Sequence, residues 1–474
     1  MNLVIILLYL VALIGFGVWG KSKAKDAEDF RVAGRRLGPL FYTGTMSAVV
    51  LGGASTVGGV GLGYKFGISG MWLVVAIAVG VLVLSLIFAP IITRLKLYTV
   101  SQMMSLRYGV RSTQVSSIVM LAYTVMLTVT STAAYASVFT VLFGIDRTWG
   151  IILGAVVVIA YSMLGGMWSI TLTDMMQFGI MTVGMFFLLL PFSLHYAGGW
   201  NGLTTRLDAE FFQVGAMGFD SIFTMFVVYT LGLLVGQDIW QRVFTARSPE
   251  VARWGGAAAG IYVGLYGIAG AIIGMAAAVL APDLTSKDDA FATLAQNYLP
   301  AGIGGVVLAA GVAAMMSTAS GALIAAATVA RVDVVPFLTN KPALDEENDK
   351  ALAQDRVYLL VIGIISTVIA LFLKDTVTSL TIAYDILVGG LLVAILGGLL
   401  WKRGTGLAAA ISMAVGSLGV IVTMPIFGVM ANQPIYYGLG ASLVAYVVVS
   451  LLTKPTRPEV IQEWNRRLAA GRTK

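Results

Sequence analysis

Thirteen stretches of this chain are apolar and long enough to cross a membrane, for which a helix needs about 20 residues. Only 11% of the residues are charged, whereas soluble proteins contain about 25% charged residues. A soluble fold is therefore excluded, and the pattern predicts an all-α integral membrane protein with about 13 transmembrane helices. The predicted spans are 2–20, 40–63, 70–93, 113–143, 148–167, 174–196, 220–237, 253–281, 302–330, 357–373, 376–400, 405–428 and 434–453.

The distribution of basic residues indicates how these spans are oriented. With the N-terminus outside and the C-terminus cytoplasmic, the outer segments contain few of the 30 Lys and Arg residues, namely Lys65, Arg147, Arg206, Lys287 and Lys374. The positive-inside rule requires this asymmetry. The first span lacks a small-residue cleavage site and continues into KSKAK, so we interpret it as a retained helix. We expect a multi-pass protein of the plasma or inner membrane whose basic tail, 454–474, binds membrane lipid at the anionic inner leaflet.

The inventory of reactive residues argues against several kinds of site. The chain has no Cys and a single His, His195, so disulfides, thiolate metal sites and multi-histidine sites are excluded. It also lacks the HExxH and GxSxG motifs of common hydrolases, and we predict that it is not an enzyme. The net charge of +7 follows the membrane topology, so we expect no nucleic-acid partner and infer no obligate protein partner.

Residues 309–327, AAGVAAMMSTASGALIAAA, form an apolar helix interrupted by the hydroxyls of Ser317, Thr318 and Ser320. Hydrocarbon offers such oxygens no water, so in a membrane they face a partner helix, a cavity or an ion. A cluster with oxygen ligands alone suits a hard monovalent cation. The alternative is that each hydroxyl bonds to the carbonyl four residues earlier in its own helix. These residues alone leave both interpretations open.

Residues 47–63, SAVVLGGASTVGGVGLG, contain five glycines between Gly52 and Gly61. Glycine destabilises a helix interior by up to about 1 kcal/mol relative to alanine. This density is typical of an unwound midsection, which membranes tolerate where the backbone lines a cavity. A glycine-lined packing seam between two helices is the alternative.

Two further segments contain polar residues near predicted span ends. In YSMLGGMWSITLTDMMQ, Gly165 and Gly166 join two spans, and Asp174 is expected at the start of the next helix. There it caps the helix or attracts cations that leave toward the cytoplasm. In GQDIWQRVFTARS we expect Arg242 and Arg247 to contact lipid phosphates, while Gln237 and Asp238 cap the helix or act as a gate.

Six segments, in this order along the chain, resemble the sodium:solute symporter family, whose members include transporters of proline, sugars, sialic acid, pantothenate and monocarboxylates. They are DFRVAGRRLGP, TVSQMMSLRYG, YSMLGGMWSITLTDMMQ, GQDIWQRVFTARS, AAMMSTASG and LLWKRGTGLAA. The resemblance implies a LeuT-like inverted repeat of five plus five helices within one transmembrane domain, formed by the second to sixth and seventh to eleventh spans. Residues 40–400 would form this core, 2–20 a leading helix and 405–453 two peripheral helices.

The resemblance also implies a sodium site between the first and eighth core helices. Its ligands here are the carbonyls of Ala48, Leu51 and Ala314 and the hydroxyls of Ser317 and Thr318. A second sodium site of some members uses the Asp after the Gly-Gly turn and two later hydroxyls on the eighth core helix. Asp174 and Ser320 match that pattern, but Gly321 stands where the other hydroxyl is needed. We therefore expect one coupled sodium ion.

The resemblance further implies that the solute binds at the membrane midplane, beside the glycine-rich segment. The residues that we assign to its site are Gly52, Gly53, Ser55, Thr56, Thr128, Ser131, Tyr229 and Thr230. Val50 stands where proline-transporting members carry an Asp, so proline is not implied as the solute. Asp385 is an acid in an apolar span, which indicates either a partner for a substrate amino group or a capped kink near the outer face.

These features predict a sodium-coupled symporter that imports a small organic solute, such as an amino acid or an organic acid, by alternating access. The alternative is a proton-coupled carrier of the same fold, for which Asp174 is the titratable group nearest to the ion site.

Overall fold

The computed structural model describes residues 2–339, 349–372, 376–429 and 431–469. These residues form helices and their connections, and the strand-like pairing found among them is a single bridge between Leu37 and Ala246. The described part of the chain is therefore all-α, as predicted. Short 3-10 or π-helical turns extend or join many of the helices.

The helices of the first half have these bounds: α1 Asn2–Lys21, α2 Ala27–Val32, α3 Pro39–Val50, α4 Gly59–Phe66, α5 Trp72–Val83, α6 Ala89–Leu95, α7 Val100–Tyr108, α8 Val110–Phe143, α9 Arg147–Gly165, α10 Met167–Thr182, α11 Leu190–Tyr196 and α12 Gly199–Arg206. Those of the second half are α13 Phe219–Met225, α14 Leu231–Leu233, α15 Gln237–Thr245, α16 Gly256–Leu280, α17 Ala290–Thr293, α18 Ile303–Val329, α19 Val335–Thr339, α20 Asp349–Phe372, α21 Thr376–Leu400, α22 Gly406–Phe427, α23 Gln433–Leu452 and α24 Pro458–Ala469.

Among the described residues, eleven helices are long and apolar enough to cross a membrane, or twelve when one bent pair is counted as a span. The longest, Ala54–Leu95, covers two predicted spans. Its backbone turns at Gly67, where φ is +60°, and Gly70 lies against the backbone of Leu62 and Gly63. Dividing this stretch at Gly67 and counting the bent pair as one span give the thirteen predicted spans.

The second predicted span is broken at its middle. α3 ends at Val50, Leu51 leaves the helical conformation with φ −90° and ψ 70°, and the helix resumes at Gly53. Further along, Gly63 packs directly against the backbone of Ala271 in α16. Both interpretations of the glycine-rich segment therefore apply, because the chain is unwound at Leu51 and Gly52 and forms a packing seam afterwards.

A second break lies in the seventh predicted span. The helical stretches Phe219–Leu233 and Gln237–Thr245 meet at an angle of 46°. Gly236 between them is extended, with φ −66° and ψ 130°. The end of one half-helix and the start of the other therefore expose backbone groups inside the protein, as in discontinuous membrane helices.

α18 is the central helix of the protein. The apolar stretch from Ile303 to Thr339 contains an 18-residue window that is buried along its whole length. α18 packs against α1, α3, α8, α10 and α20. Its hydroxyl cluster is therefore enclosed by other helices and has no contact with lipid.

Connections that the charge pattern assigns to one side of the membrane lie together. On one side, Asp355 forms ion pairs with Arg31 at 3.0 Å and with Arg331 at 3.6 Å. On the other side, the Tyr64 hydroxyl donates to the carbonyl of Pro282 at 2.7 Å. Each of these contacts joins segments that the charge pattern places on the same side.

The tail helix α24 packs on the side that carries the basic connections. Trp464 is buried, and the Arg467 guanidinium donates to the Leu95 carbonyl at 3.4 Å. Hydrogen bonds from Arg466 and Arg467 lower the pKa of the Glu463 carboxyl to about 2. The tail is therefore a docked amphipathic helix with its remaining positive charge at the surface.

Candidate functional site

A cavity of about 50 Å³ lies where the two broken helices meet. Its wall consists of the break in the second span, the helices α5, α8, α15, α18 and α21, and the π-helical turn that precedes α14. Most of the lining is apolar. The polar lining residues are Ser55, Thr130, Ser131, Tyr229, Asp238, Thr318 and Tyr384.

Thr318 connects the hydroxyl cluster of α18 to this cavity. Its hydroxyl lies 2.8 Å from the Val49 carbonyl, to which it donates, and 3.4 Å from the Ala314 carbonyl. A Cβ at Gly52 would lie 2.7 Å from the Thr318 hydroxyl oxygen, so α18 contacts the unwound backbone directly. The Thr318 hydroxyl thus contacts both its own helix, α18, and a partner helix, α3.

The other predicted sodium ligands lie around the same contact. Ala48 is in the last turn of α3, Leu51 is at the break, and both are fully buried. Ala314 lies one turn before Thr318 on α18, and Ser317 is its immediate neighbour. The five residues therefore come from two adjacent helices and supply neutral oxygens, the ligand type that suits a hard cation.

Asp174 is fully buried in the middle of α10. It accepts hydrogen bonds from Thr45 of α3 and from Ser317 of α18, the latter at 2.7 Å, and forms an ion pair with Arg242 of α15 at 3.1 Å. The predicted position at a helix start is wrong, because α10 already begins at Met167. A sodium ion would reach this carboxylate by displacing part of a four-helix network.

Arg242 does not contact lipid phosphates, as the sequence suggested, because its side chain is fully buried against Asp174. A Cβ at Gly321 would lie 3.2 Å from a terminal nitrogen of this guanidinium. Gly321 therefore leaves room for Arg242, in addition to lacking the hydroxyl that a second sodium site needs. Arg247, in contrast, is exposed.

The structure brings most of the predicted substrate residues to the cavity. Gly52, Gly53 and Ser55 line it from the break, and Ser131 and Tyr229 line it from two other elements. The Ser55 hydroxyl donates to the Val50 carbonyl at 3.3 Å. Since Thr318 lines the same cavity, the predicted solute and sodium sites adjoin each other.

Three predicted substrate residues lie elsewhere. The Thr56 hydroxyl bonds to the Tyr266 hydroxyl at 3.1 Å, on the side of α16. Thr128 donates to the Thr124 carbonyl at 2.8 Å and faces a separate small cavity between α8, α9, α18 and α20. Thr230 donates to the Ala76 carbonyl at 2.6 Å. Sequence alone cannot tell which face of a helix is turned to a cavity, because that depends on its neighbours.

Asp385 is buried in α21 and does not line the central cavity, although its neighbour Tyr384 does. One of its carboxylate oxygens, Oδ1, has no hydrogen-bond partner among the described residues. α21 continues through this position to Leu400, so Asp385 lies within the helix and does not cap it.

Asp238 is a cavity residue whose position the sequence left open between a cap and a gate. It lies in the first turn of α15, directly after the second break, and is 2% exposed. The Tyr123 hydroxyl of α8 donates to its Oδ1 at 3.0 Å. The signal in the sequence was an acid two residues after a glycine, at the end of the seventh predicted span.

Solved structures share this architecture. A substrate-bound, outward-open, Na⁺-coupled sialic acid symporter aligns with a TM-score of 0.84 at 18% identity, covering 96% of this chain and 98% of that one. The inward-facing conformation of Mhp1 aligns with a TM-score of 0.50 at 16% identity over 92% and 95% of the two chains. Such identities show the fold alone. The chain therefore has the LeuT-like fold, with two discontinuous helices around a central cavity.

The sodium:solute symporter family matches residues 30–416, and the chain belongs to this family. Its relatives include the sodium/proline symporters of Staphylococcus aureus strains JH9 and NCTC 8325, each 25% identical over 483 aligned positions. Each alignment covers 95% of this chain and 93% of the relative. The protein is thus a multi-pass membrane carrier for a small solute, with sodium as the coupling ion.

Proposed function

We propose that one sodium ion binds between α3 and α18 and drives the import of a solute held in the adjoining cavity. The carbonyls of Ala48, Leu51 and Ala314 and the hydroxyls of Ser317 and Thr318 would replace part of the sodium hydration shell. The observation that supports this most is the position of Thr318, which contacts the end of α3 and also lines the cavity. Sodium binding there would draw α18 and the broken helix together beside the solute.

The driving force of a single sodium ion is sufficient for accumulation. An ion that moves through 100 mV contributes about 2.3 kcal/mol. Since each 1.4 kcal/mol is a factor of ten, this supports a solute gradient of about fiftyfold before the sodium gradient itself is added.

The surroundings of Asp174 favour one sodium ion over two. Arg242 already supplies a positive charge at 3.1 Å from this carboxylate, in a place with no access to water. A second cation would add a positive charge next to Arg242, and like charges at short range in a buried site repel strongly.

The same ion pair favours sodium coupling over proton coupling. Asp174 was the candidate proton site nearest to the hydroxyl cluster, and its charge is matched by Arg242 and by hydrogen bonds from Thr45 and Ser317. The proposed sodium ligands contain no titratable group. A proton-coupled cycle would therefore need to break the ion pair in each turnover.

We also propose the orientation and the division of the chain. The N-terminus lies outside the cell and α24 on the cytoplasmic side of the plasma or inner membrane, because basic residues concentrate on that side. Residues 40–400 form the inverted-repeat core, 2–20 the leading helix, and 405–453 two peripheral helices whose packing on α8 and α21 leaves the cavity free.

The test of the proposed function is uptake into proteoliposomes that contain the purified protein. Labelled amino acids, monocarboxylates and sugars are supplied under an inward sodium gradient, a proton gradient in sodium-free buffer, or a potassium gradient. We expect at least one solute to accumulate under the sodium gradient alone. Accumulation under the proton gradient without sodium would refute sodium coupling through the hydroxyl cluster.

A further inference from the structure

The central cavity contains one fixed charge among the described residues that line it, the carboxylate of Asp238. No Lys, Arg or His is part of this lining. The rest of the wall consists of aliphatic side chains, backbone at the first helix break, four hydroxyls of Ser and Thr, and two tyrosines. Any solute in this cavity therefore meets a single negative charge.

The groups around Asp238, including the more distant charge of Arg242, offset its charge only in part. Its hydrogen bond comes from the uncharged hydroxyl of Tyr123. Arg242, one turn further along α15, directs its Nη1 to Met167 and its Nη2 to Asp174 of α10. In the part of the chain that the structure describes, Asp238 has no ion pair. The helix N-terminus and the Tyr123 bond favour the carboxylate, but they add no full positive charge.

A carboxylate removed from water needs a positive partner, since burying an unpaired charge is costly. Two mobile cations are available in this cavity, the coupling sodium ion and a positively charged group of the solute. The sodium ion is already provided with neutral oxygens at the contact between α3 and α18. The geometry leaves Asp238, on the α15 side of the cavity, for the solute.

We propose that Asp238 binds a positively charged nitrogen of the solute, and that the transported solutes are small zwitterions with an ammonium or quaternary ammonium group. The proposal rests on the function proposed above. Tyr229 and Tyr384, whose rings lie 5.4 Å apart in the cavity wall, add aromatic faces that attract such a cation.

Charge balance favours a zwitterion over a simple cation. Sodium and Asp238 together have no net charge, so a zwitterion leaves the loaded cavity neutral, whereas a monovalent anion or cation leaves one uncompensated charge. The negative end of a zwitterion also has positive partners. These are the sodium ion beside Thr318 and the first N–H groups of the helix that restarts at Gly53, which have no acceptor within that helix.

The experiment measures uptake of matched probes by the full-length protein in proteoliposomes under a sodium gradient. The probes are L-proline, L-alanine, glycine betaine, choline, propionate and D-glucose. We expect sodium-dependent uptake of one or more of the three zwitterions. Sodium-driven uptake of propionate or glucose without any of the zwitterions would overturn this inference and leave the proposed function standing. Absence of sodium-driven uptake for all six probes would count against both.

The variant test uses Asp238→Asn, which retains the size of the side chain and removes its charge. We expect the half-saturation concentration for the zwitterion to rise by about tenfold or more, while that for sodium changes by less than about threefold. Asp238→Glu should recover part of the affinity. Asp333→Asn is the matched control, a buried acid outside the cavity, and should leave the solute half-saturation concentration unchanged.

Loss of folding is separated from loss of binding by measuring sodium-dependent thermal stabilisation of each purified variant, with and without the zwitterion. Asp238→Asn should retain the stabilisation by sodium and lose that by the zwitterion. If Asp238→Asn cannot be obtained in folded form, Tyr123→Phe provides a second test. It removes the hydrogen bond to Asp238 and keeps the charge, so we expect it to weaken zwitterion affinity by only about threefold. Equal zwitterion affinity in wild type and Asp238→Asn, or a larger loss in Tyr123→Phe than in Asp238→Glu, would overturn the assignment.

Discussion

The Thr318 hydroxyl donates to the Val49 carbonyl at 2.8 Å and so joins the central helix α18 to the last turn of α3. Beyond that turn the backbone is unwound, and Gly52 packs against the same Thr318 side chain. A single hydroxyl therefore lies between the proposed sodium site and the cavity. Coupling of ion and solute requires a contact of this kind, because each ligand must favour the same arrangement of helices.

Removal of the proposed hydroxyl ligands should weaken sodium binding. We expect Thr318→Ala and Ser317→Ala each to raise the sodium half-saturation concentration by about three- to tenfold, as loss of one polar contact of about 1 kcal/mol implies. The double variant should be weaker than either one. Sodium-dependent uptake into proteoliposomes measures these values. The control is Ser193→Ala, a buried hydroxyl of α11 that bonds to the Leu190 carbonyl and does not line the cavity. An unchanged half-saturation concentration in the double variant would contradict the site.

Addition of a methyl group at the first break should disturb the same contact. The Cβ of Gly52→Ala would lie 2.7 Å from the Thr318 hydroxyl oxygen, closer than a Cβ normally approaches. We expect sodium affinity to fall by about tenfold, since the hydroxyl must leave its position. Gly58→Ala is the control, because its nearest neighbour, the Gly53 carbonyl, is 4.0 Å away. Equal loss in both variants would show that helix propensity, not contact with Thr318, is responsible.

The buried pair of Asp174 and Arg242 should behave as a unit. Removal of either charge leaves the other buried and unpaired, and we expect Arg242→Gln and Asp174→Asn each to destabilise the protein by about 3–5 kcal/mol. The double variant should be less destabilised than the sum of the two. Thermal unfolding in detergent measures the effect, with the exposed Arg247→Gln as the control. Additive effects of the two substitutions would argue against the pair.

Sodium coupling through neutral ligands should be insensitive to pH. None of the five proposed sodium ligands titrates, so we expect the sodium half-saturation concentration of uptake to vary by less than about twofold between pH 6 and pH 8. Folded Asp174→Asn protein should retain sodium dependence. Its turnover should be slower, because the substitution alters the hydrogen bonds and the ion pair that Asp174 forms with Thr45, Ser317 and Arg242. Uptake driven by a proton gradient in sodium-free buffer, and lost in Asp174→Asn, would support the proton-coupled alternative.

The proposed orientation can be tested because the chain contains no cysteine. Arg206 and Arg253 are both exposed and lie in connections assigned to opposite sides. In intact cells, a membrane-impermeant thiol reagent should label Arg206→Cys and spare Arg253→Cys until the membrane is permeabilised. The reverse pattern would invert the topology, and the unmodified chain provides the unlabelled control.

Local sequence indicated the glycine-rich break, as one of two interpretations, and the hydroxyl cluster, because both depend on residues that are neighbours in the chain. The pairing of Asp174 with Arg242 was not predictable in this way. The two residues are 68 positions apart and lie on different helices, α10 and α15. From its local sequence, Asp174 was expected to cap a helix and Arg242 to contact lipid. In the folded protein the two side chains form a buried ion pair instead.

The sequence by itself determined that this protein crosses the membrane many times, that its positive charge is concentrated in alternate connections, and which motifs it shares with its family. These properties depend on the length and polarity of single segments, and each segment partitions into lipid largely on its own. The tertiary structure decided which hydroxyls reach the cavity, that Arg242 is buried, and that Asp238 is the one fixed charge among the described residues of the cavity lining. Those outcomes depend on how each helix is rotated against its neighbours, and that rotation is a property of the whole assembly.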